Sequence, residues 1–345
     1  MGIIELLTPA YEAAWLPWAV QYFFLIGIAA TTALTASALA FGKPGSCMAR
    51  LLPAAVVVLL TACIAAPVSL LADLHQPGRF WHFYAHPTPW SWMSLGAYLL
   101  PVFVTLSLLF CLLWWLGKSG LLRLVAVLLA ISAASILLYT GGEMMVIKSR
   151  PLWHTLLLPV NLALTGWLGS LGAMLLVARW LPASWRDGFP AGMVRRLAQV
   201  CTLALLAAAV TWAALGATGQ EPSFDAALEL FNEFGAWRLA LLGSIMGGVL
   251  LLAMVWRPLG EKRLTAGDQL LLAVLMLAAS WVFRWMVFMA VQTVPKFGAG
   301  LYLQGISWGS DGVLGMVGVF GLVAALLAMV TYALERYPGK PLASA

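Results

Sequence analysis

Charged side chains are scarce in this chain of 345 residues: only 9% are Asp, Glu, Lys or Arg, whereas 63% are hydrophobic. A water-soluble domain needs about 25% charged residues to cover its surface. The shortage therefore excludes a water-soluble fold and predicts an integral membrane protein. The formal net charge of +6 follows from membrane topology and does not indicate a nucleic-acid partner.

Cysteine and histidine are also rare, and their placement argues against resident redox centres. The chain holds four of each, namely Cys47, Cys63, Cys111 and Cys201, and His75, His82, His86 and His154. The cysteines show no C-x-x-C spacing, so neither an iron–sulfur cluster nor a disulfide framework is predicted. No histidine lies in the middle of an apolar run, so a haem inside the membrane would lack ligands. We expect no haem, cluster or metal site on this chain, so that a redox role would need a mobile organic electron carrier.

Nine continuous apolar runs are each long enough to cross about 30 Å of hydrocarbon, which takes roughly 20 helical residues. None alternates with a period of two, so the runs predict helices and not barrel strands. The predicted helices are 15–41, 51–73, 92–117, 121–140, 155–177, 197–217, 234–256, 270–291 and 312–334. The predicted fold is an all-α integral membrane protein whose odd number of spans places its termini on opposite sides.

The basic residues of the loops indicate the orientation, because cytoplasmic loops carry an excess of Lys and Arg. With the N-terminus outside, thirteen loop Lys and Arg residues lie on the cytoplasmic side. The outer side then carries only four, which are Arg79, Lys148, Arg150 and Lys296. We therefore predict an N-out, C-in topology, in a bacterial inner membrane.

The predicted outer loop within Ala72–Gly96 is much richer in polar chemistry than the other connections. It contains Asp73, His75, Gln76, Arg79, His82 and His86 among Trp81, Tyr84, Trp90 and Trp92. Three further outer loops follow from the topology: 141–154, an acidic loop with Glu221, Asp225, Glu229 and Glu233, and 295–311. We expect chemistry and partners on this outer face.

Four stretches resemble the NrfD/PsrC family of membrane subunits that oxidise quinol or reduce quinone. They read WLPWAVQYFFLIGIAA at 15–30, ADLHQPGRFWHFYAHPTPWSWM at 72–93, YTGGEMMVIKSRPLW at 139–153 and RWMVFMAVQTVPKFGAGLY at 284–302. Together they span nearly the whole chain, in order. The resemblance implies two four-helix bundles, to which the ninth helix would be a C-terminal addition.

The resemblance also implies a function and partners. The chain would take electrons from menaquinol or ubiquinol and pass them to an iron–sulfur subunit. That subunit would feed a molybdopterin catalytic subunit on the periplasmic face. The expected terminal substrate is tetrathionate, with polysulfide or dimethyl sulfoxide as alternatives, because substrate choice lies in another subunit. No continuous chain of polar side chains reaches the cytoplasmic side, so we expect protons to be released outside without pumping.

Two tyrosines are the leading candidates for quinol binding. Tyr139 matches the family tyrosine that begins the motif after the fourth helix. Tyr22 lies where the family places a ring-binding polar residue, before a helix glycine that is Gly27 here. Gln21 is a weaker candidate on another side of the same helix. Both tyrosines are also compatible with an interfacial aromatic belt, which needs no quinol.

Proton acceptors are expected close to these tyrosines. Asp73 and Glu143 are the nearest acids in the sequence pattern, and ionisable residues at membrane depth indicate function by default. His75 could relay a proton near neutral pH. Arg79 could interact with a quinol anion, anchor its loop or dock a partner. Loop anchoring and docking are the favoured roles, and the same holds for Lys148 and Arg150. Asp73 could instead pair with Arg79 or cap the loop.

Arg284 is the one basic residue predicted well inside a helix. A charge at that depth needs an acidic or carbonyl partner. Glu143, Glu233 and Asp311 are the conceivable acids, and backbone carbonyls are the other option.

Two other functional classes remain open at the level of sequence. A secondary transporter would place its polar residues near the bilayer midplane, in Gly- or Pro-interrupted helices at matching positions. In this sequence the polar residues are instead clustered on one side of the predicted membrane domain. A structural anchor without quinone chemistry would not need both Tyr139 and Glu143.

Overall fold

The computed structural model describes residues 15–74, 76–258, 264–294, 305–337 and 339. The regular structure of these residues is entirely helical, and nine of their helices are long and apolar enough to cross a membrane. The all-α class and the number of spans are thus confirmed. In chain order the α-helices are α1 (Pro17–Leu39), α2 (Cys47–Asp73), α3 (His82–Ala85), α4 (Trp92–Trp115), α5 (Ser119–Met145), α6 (Leu157–Val177), α7 (Ala183–Arg186), α8 (Ala191–Ala217), α9 (Pro222–Glu233), α10 (Gly235–Trp256), α11 (Ala266–Trp285) and α12 (Val313–Arg336). All but α3, α7 and α9 are candidate spans.

Helix α1 is the most enclosed span. It packs against α2, α5, α6 and α11, and 83% of its apolar window is buried. A helix that is apolar around its whole circumference can be enclosed either by protein or by lipid, and α1 is enclosed by protein. In α10 and α12 only 11% of the window is buried. Their apolar surfaces therefore suit contact with lipid or with other membrane chains.

The contacts between helices follow chain order closely. Helix α1 contacts α2 and α5, and α4 contacts α2 and α5; in the later part of the chain, α6 contacts α8 and α11, and α10 contacts both of these. Helices α1 and α5 also contact α6, which joins the earlier helices to the later ones. The last helix, α12, lies mainly against α2.

Helix α5 is longer than the sequence predicts. It runs from Ser119 to Met145 and includes residues 141–145, which were expected to begin a loop. Paired glycines usually weaken a helix, but here they allow close packing. The positions of their missing β-carbons are filled by the Pro159 side chain at Gly141 and by the Trp92 ring at Gly142. The extension matters because it places Tyr139 and Glu143 on one continuous helix.

The acidic segment after α8 is also helical, which corrects the prediction of a loop. Glu221 precedes α9, and its carboxylate accepts hydrogen bonds from the Ser223 backbone N–H (3.4 Å) and hydroxyl (2.7 Å), which caps the helix. Asp225, Glu229 and Glu233 are exposed and four residues apart. A spacing of four places them along one face of α9.

Helix α11 ends in an unusual backbone. It continues as a single π-helical turn, Met286–Ala290, followed by a short 3₁₀ turn. The buried Arg150 side chain donates hydrogen bonds to the carbonyls of Val291 and Val294, both at 2.8 Å, and stacks over the Trp153 ring. Arg150 therefore anchors its loop to the end of α11, one of the two roles that were favoured for it.

The Gln292 side chain ties this same end of α11 to the start of α1. Its Oε1 accepts the Trp15 N–H at 3.0 Å, while its Nε2 donates to the Trp15 carbonyl at 3.1 Å and to the Phe288 carbonyl at 2.6 Å. The Trp15, Phe23 and Phe288 rings stack nearby, with centroids 4.0 to 5.4 Å apart. The two chain segments, 277 residues apart in sequence, are thereby fixed to each other.

We expect Gln292→Leu to destabilise the protein by about 1–3 kcal/mol, because it keeps the volume but leaves the Trp15 peptide without its partners. The measurement is the apparent unfolding temperature in detergent, which should fall by several degrees. Gln220→Leu, at an exposed loop position, is the matched control and should leave that temperature nearly unchanged. Equal values for the two variants would contradict a joining role for Gln292.

Candidate functional site

Tyr139 and Glu143 form a pair of neighbouring side chains near the end of α5. They are four residues apart and therefore lie on the same face of the helix. The Tyr139 side chain, 8% exposed, lies close enough to the Glu143 side chain for the two to interact. Glu143 itself is only partly buried. The pair thus combines a buried hydroxyl with a carboxyl group that retains access to the surface.

Tyr22 of α1 joins this pair from the neighbouring helix. It is 2% exposed, and it lies near both Glu143 and Tyr139. Its ring meets the Phe23 ring edge-on, with centroids 5.0 Å apart. The structure therefore brings together three of the residues that the sequence nominated, from two helices that contact each other directly.

The Tyr139 ring is held in place by α4. The ring and its hydroxyl occupy the space in which Gly96 would carry a β-carbon, so any larger residue at position 96 would collide with them. This close approach explains why glycine is found in the first turns of α4. We define the candidate site as Tyr22, Tyr139 and Glu143, enclosed by α1, α4 and α5.

Asp73 lies near the start of α1, at the same end of the bundle as the candidate site, and it links α2 to α1. Its Oδ1 accepts a hydrogen bond from the Leu16 N–H at 3.1 Å, which links the end of α2 to the start of α1. Leu16 precedes Tyr22 by six residues, about 9 Å along a helix axis. This contact gives Asp73 a structural role in joining the two helices, while the capping of its own loop stays a prediction. Its role as a proton acceptor stays a prediction.

The other nominated residues are not brought into the candidate site. The Gln21 Oε1 accepts a hydrogen bond from Trp281 Nε1 of α11 at 3.3 Å, while its amide nitrogen has no partner among the described residues. Arg79 is exposed and lines a separate loop cavity of about 530 Å³, whose lining includes neither tyrosine nor Glu143. His75 lies outside the described residues. The quinol-related roles of these three side chains stay predictions.

Arg284 is enclosed completely by neutral hydrogen-bond acceptors. It is 1% exposed, and its guanidinium donates to the carbonyls of Phe23 (2.9 Å), Leu162 (2.9 Å) and Ser280 (3.0 Å). It also donates to the hydroxyls of Thr165 (2.9 Å) and Ser280 (3.1 Å). Among the described residues no carboxylate forms an ion pair with it. Of the two kinds of partner expected from the sequence, the backbone carbonyl is therefore the one observed.

Two glycines make room for this guanidinium. A β-carbon on Gly27 would lie 2.5 Å from the Arg284 Nη2, and one on Gly166 would lie 3.1 Å from the same atom. The glycine that marks the family pattern after Tyr22 thus has a physical role. It lets α1 and α6 approach a buried charge on α11.

The histidines and cysteines of the described residues are spread through the structure. His154 Nδ1 lies 2.7 Å from the Met145 carbonyl, as expected for a histidine that stabilises a loop. Cys63, Cys111 and Cys201 are buried, and Cys47 is exposed. Within the described ranges no three His, Cys, Asp or Glu side chains approach closely enough to hold a metal ion.

The fold and the candidate site define a multi-pass helical membrane subunit with a tyrosine–glutamate pair near one end of its spans. The sequence model of the family described as “Polysulphide reductase, NrfD” matches residues 6–296. The chain is also 35% identical over 341 residues to the tetrathionate reductase C subunit of Salmonella typhimurium strain LT2, an alignment that covers 95% of this chain and 94% of that protein. The chain belongs to the NrfD family. It is a homologue of a tetrathionate reductase membrane subunit, and its architecture is consistent with a membrane anchor of a reductase.

Proposed function

We propose that this chain is the quinol-oxidising membrane anchor of a periplasm-facing molybdenum and iron–sulfur reductase. The observation that carries the proposal is the pairing of the Tyr139 and Glu143 side chains on one face of α5, with Tyr22 of α1 beside them. The bound substrate would be menaquinol or ubiquinol. No haem or iron–sulfur cluster on this chain is part of the proposal.

The chemistry of these side chains fits quinol oxidation. The reaction gives a quinone, two electrons and two protons, so the site must bind two ring oxygens and accept protons from them. The Tyr22 and Tyr139 hydroxyls can each donate or accept a hydrogen bond. Glu143, when ionised, can take a proton from a ring hydroxyl and release it through its partly exposed side. The two electrons leave to the iron–sulfur subunit.

The proposal includes the N-out, C-in topology in a bacterial inner membrane. In that orientation the candidate site, the hydrogen bond between Asp73 and Leu16, and helix α9 all lie towards the periplasm. We further propose that α1, α2, α4 and α5 form one four-helix bundle and α6, α8, α10 and α11 a second, with α12 added outside. The contacts among neighbouring helices support this grouping.

We assign partner docking to the loop between α2 and α4. The loop exposes Phe80, Trp81, Tyr84 and Trp90, the last of which is 85% exposed, and Arg79 lies beside them. Protein interfaces are enriched in exposed aromatic residues and arginine. This surface therefore suits the iron–sulfur subunit, beyond which the molybdopterin catalytic subunit would lie. Docking at this loop would place the first cluster of the iron–sulfur subunit a short distance from the bound quinol.

The proposed terminal substrate is tetrathionate, because the relative that aligns over 95% of this chain is named for its reduction. Polysulfide or dimethyl sulfoxide are the alternatives, since another chain determines the substrate. Protons from quinol would be released outside without pumping. Vesicles containing the complex should then acidify by no more than the protons of the quinol itself, and a larger yield per electron would contradict this part.

The proposed function is tested by Tyr139→Phe in the purified complex. We expect menaquinol-driven tetrathionate reduction to fall by about tenfold, because one hydrogen bond to the reacting ring is lost. Reduction driven by an artificial dye, which bypasses this chain, should be unchanged. Tyr332→Phe, at an exposed position on α12, is the matched control.

Unchanged menaquinol-driven turnover in the Tyr139 variant would move the quinol site elsewhere and favour a structural anchor. Parallel loss of quinol-driven and dye-driven activity would instead indicate faulty assembly. A transporter would be indicated by substrate uptake into vesicles in the absence of both electron donors.

A further inference from the structure

A large basic cavity lies at the end of the bundle opposite the candidate quinol site. Its volume is about 1240 Å³, and it opens where α6 ends and where α2, α8 and α11 begin. We call it the basic cavity. The described residues that line it include five arginines and one acidic residue: Arg50, Arg179, Arg186, Arg195, Arg196 and Asp187. A concave surface with this excess of positive charge selects anions.

Three long helices begin at this cavity. Its lining includes Cys47, Ala191 and Ala266, the first residues of α2, α8 and α11, which are 27, 27 and 20 residues long. The start of a helix carries unpaired N–H groups and a partial positive charge of about half a unit. The backbone therefore adds to the positive field of the side chains, an arrangement suited to phosphate.

Two of the arginines are fixed by backbone carbonyls. Arg179 Nη1 donates to the Ala266 carbonyl at 2.9 Å, and Arg195 Nε donates to the Val255 carbonyl at 2.9 Å. Arg195 Nη2 additionally donates to the Arg257 carbonyl. These neutral acceptors orient the guanidinium groups without neutralising them. The charge of both arginines is retained for a ligand.

The acidic residue in the lining neutralises little of this charge. The Arg186 Nε and the Asp187 Oδ1 are 3.8 Å apart, and both side chains are largely exposed. Exposed ion pairs of this kind contribute between about 0 and 1 kcal/mol. Arg186 can therefore exchange this partner for a phosphate oxygen, which it can bind in bidentate geometry.

Membrane topology alone explains the number of basic residues at this end, but not their collection in a cavity. Lys118 and Arg123 belong to the same end of the bundle and do not line it. The walls are also partly apolar, with Trp180, Phe189 and Met193 beside the arginines. A basic cavity between membrane helices, with apolar walls, is a setting in which anionic headgroups bind.

We propose that the basic cavity binds a phosphate-ester anion. Two sources share this chemistry, the headgroup of an acidic membrane phospholipid and a soluble phosphate compound. The proposal is independent of quinol oxidation, because the cavity lining includes no residue of the candidate quinol site. The ligand would be held by the guanidinium groups, and the helix starts would add positive potential around it.

The test compares two double variants of the full protein that remove equal charge from the same end of the bundle. Arg186→Gln with Arg196→Gln acts inside the basic cavity, and Lys118→Gln with Arg123→Gln acts outside it. Each protein is analysed by native mass spectrometry after incorporation into nanodiscs of phosphatidylcholine containing either phosphatidylglycerol or cardiolipin. A second measurement titrates inorganic phosphate and pyrophosphate against the detergent-solubilised protein and records the apparent unfolding temperature.

We expect the wild-type protein and the outside variant to retain acidic lipid, while the cavity variant binds it roughly thirtyfold more weakly. Stabilisation by inorganic phosphate or pyrophosphate, lost only in the cavity variant and without retained lipid, would also support the cavity and assign its ligand to the soluble source. Equal lipid retention and equal phosphate response in both double variants would overturn the proposal. So would an absence of both signals in the wild-type protein.

Discussion

Glu143→Gln is expected to reduce menaquinol-driven turnover by about 10²- to 10⁴-fold, the contribution of a positioned general base. Glutamine keeps the size of the side chain and can still accept a hydrogen bond from Tyr139. It cannot take up the proton of a ring hydroxyl. The effect should therefore exceed that of Tyr139→Phe, which removes only a hydrogen-bond partner. The measurement is steady-state reduction of tetrathionate by the intact complex with menaquinol as donor.

Four further measurements separate chemistry from assembly in that experiment. Dye-driven reduction and the amount of assembled complex should match the wild-type protein. Glu335→Gln, at the exposed end of α12, makes the same change far from the site and should leave turnover unchanged. Glu143→Asp should recover part of the activity, because it restores the carboxylate. Full quinol-driven activity in Glu143→Gln would remove Glu143 from the mechanism.

Gly27→Val is expected to cause a severe loss of stability. The new side chain would be forced against the Arg284 guanidinium, whose nearest nitrogen lies 2.5 Å from the β-carbon position. Displacing the guanidinium breaks its hydrogen bonds and leaves a buried charge uncompensated, at a cost of about 3–5 kcal/mol. We expect the protein to be almost absent from purified membranes, as measured by immunoblot and by detergent-extracted yield.

Gly318→Val is the matched control for this substitution. Gly318 is also in the middle of a helix, α12, but no atom lies within 4 Å of its β-carbon position, so normal accumulation is expected. A second variant tests the cause directly. Replacing Arg284 by Met in the Gly27→Val background removes the charge and should restore part of the yield. If Gly27→Val and Gly318→Val gave similar yields, the packing explanation would be contradicted.

The spans and the core of the candidate site could be predicted from the sequence because both depend on local signals. Apolar runs of sufficient length identify membrane helices. The family resemblance nominated Tyr22 and Tyr139, and Glu143 was nominated as an ionisable residue close to Tyr139 at membrane depth. The shared helix of Tyr139 and Glu143 could not be predicted. The glycine pair between them indicates a helix end by propensity, whereas Pro159 and Trp92 pack onto those glycines in the folded protein.

Contacts between segments distant in the chain could not be predicted from the sequence either. The sequence indicated that Arg284 needs a partner, but hydrogen-bond acceptors on α1 and α6 become visible only once the helices are assembled. Gln21 and Tyr22 are adjacent in sequence and serve different interfaces, because successive helical residues point about 100° apart. The acidic helix α9 was missed because its closely spaced acids resemble a solvated loop. Their spacing of four was the available signal.

The buried arginine also has a consequence for how the protein is made. An arginine at the centre of a membrane helix raises the free energy of insertion by about 2.5–3.5 kcal/mol when the helix enters lipid alone. The acceptors that surround Arg284 on other helices are Phe23, Leu162 and Thr165, from the first and fifth spans. Both spans leave the ribosome long before the eighth. During synthesis, α11 therefore reaches a bilayer that already contains the groups its charge requires, and the order of the chain itself lowers the barrier to its biogenesis.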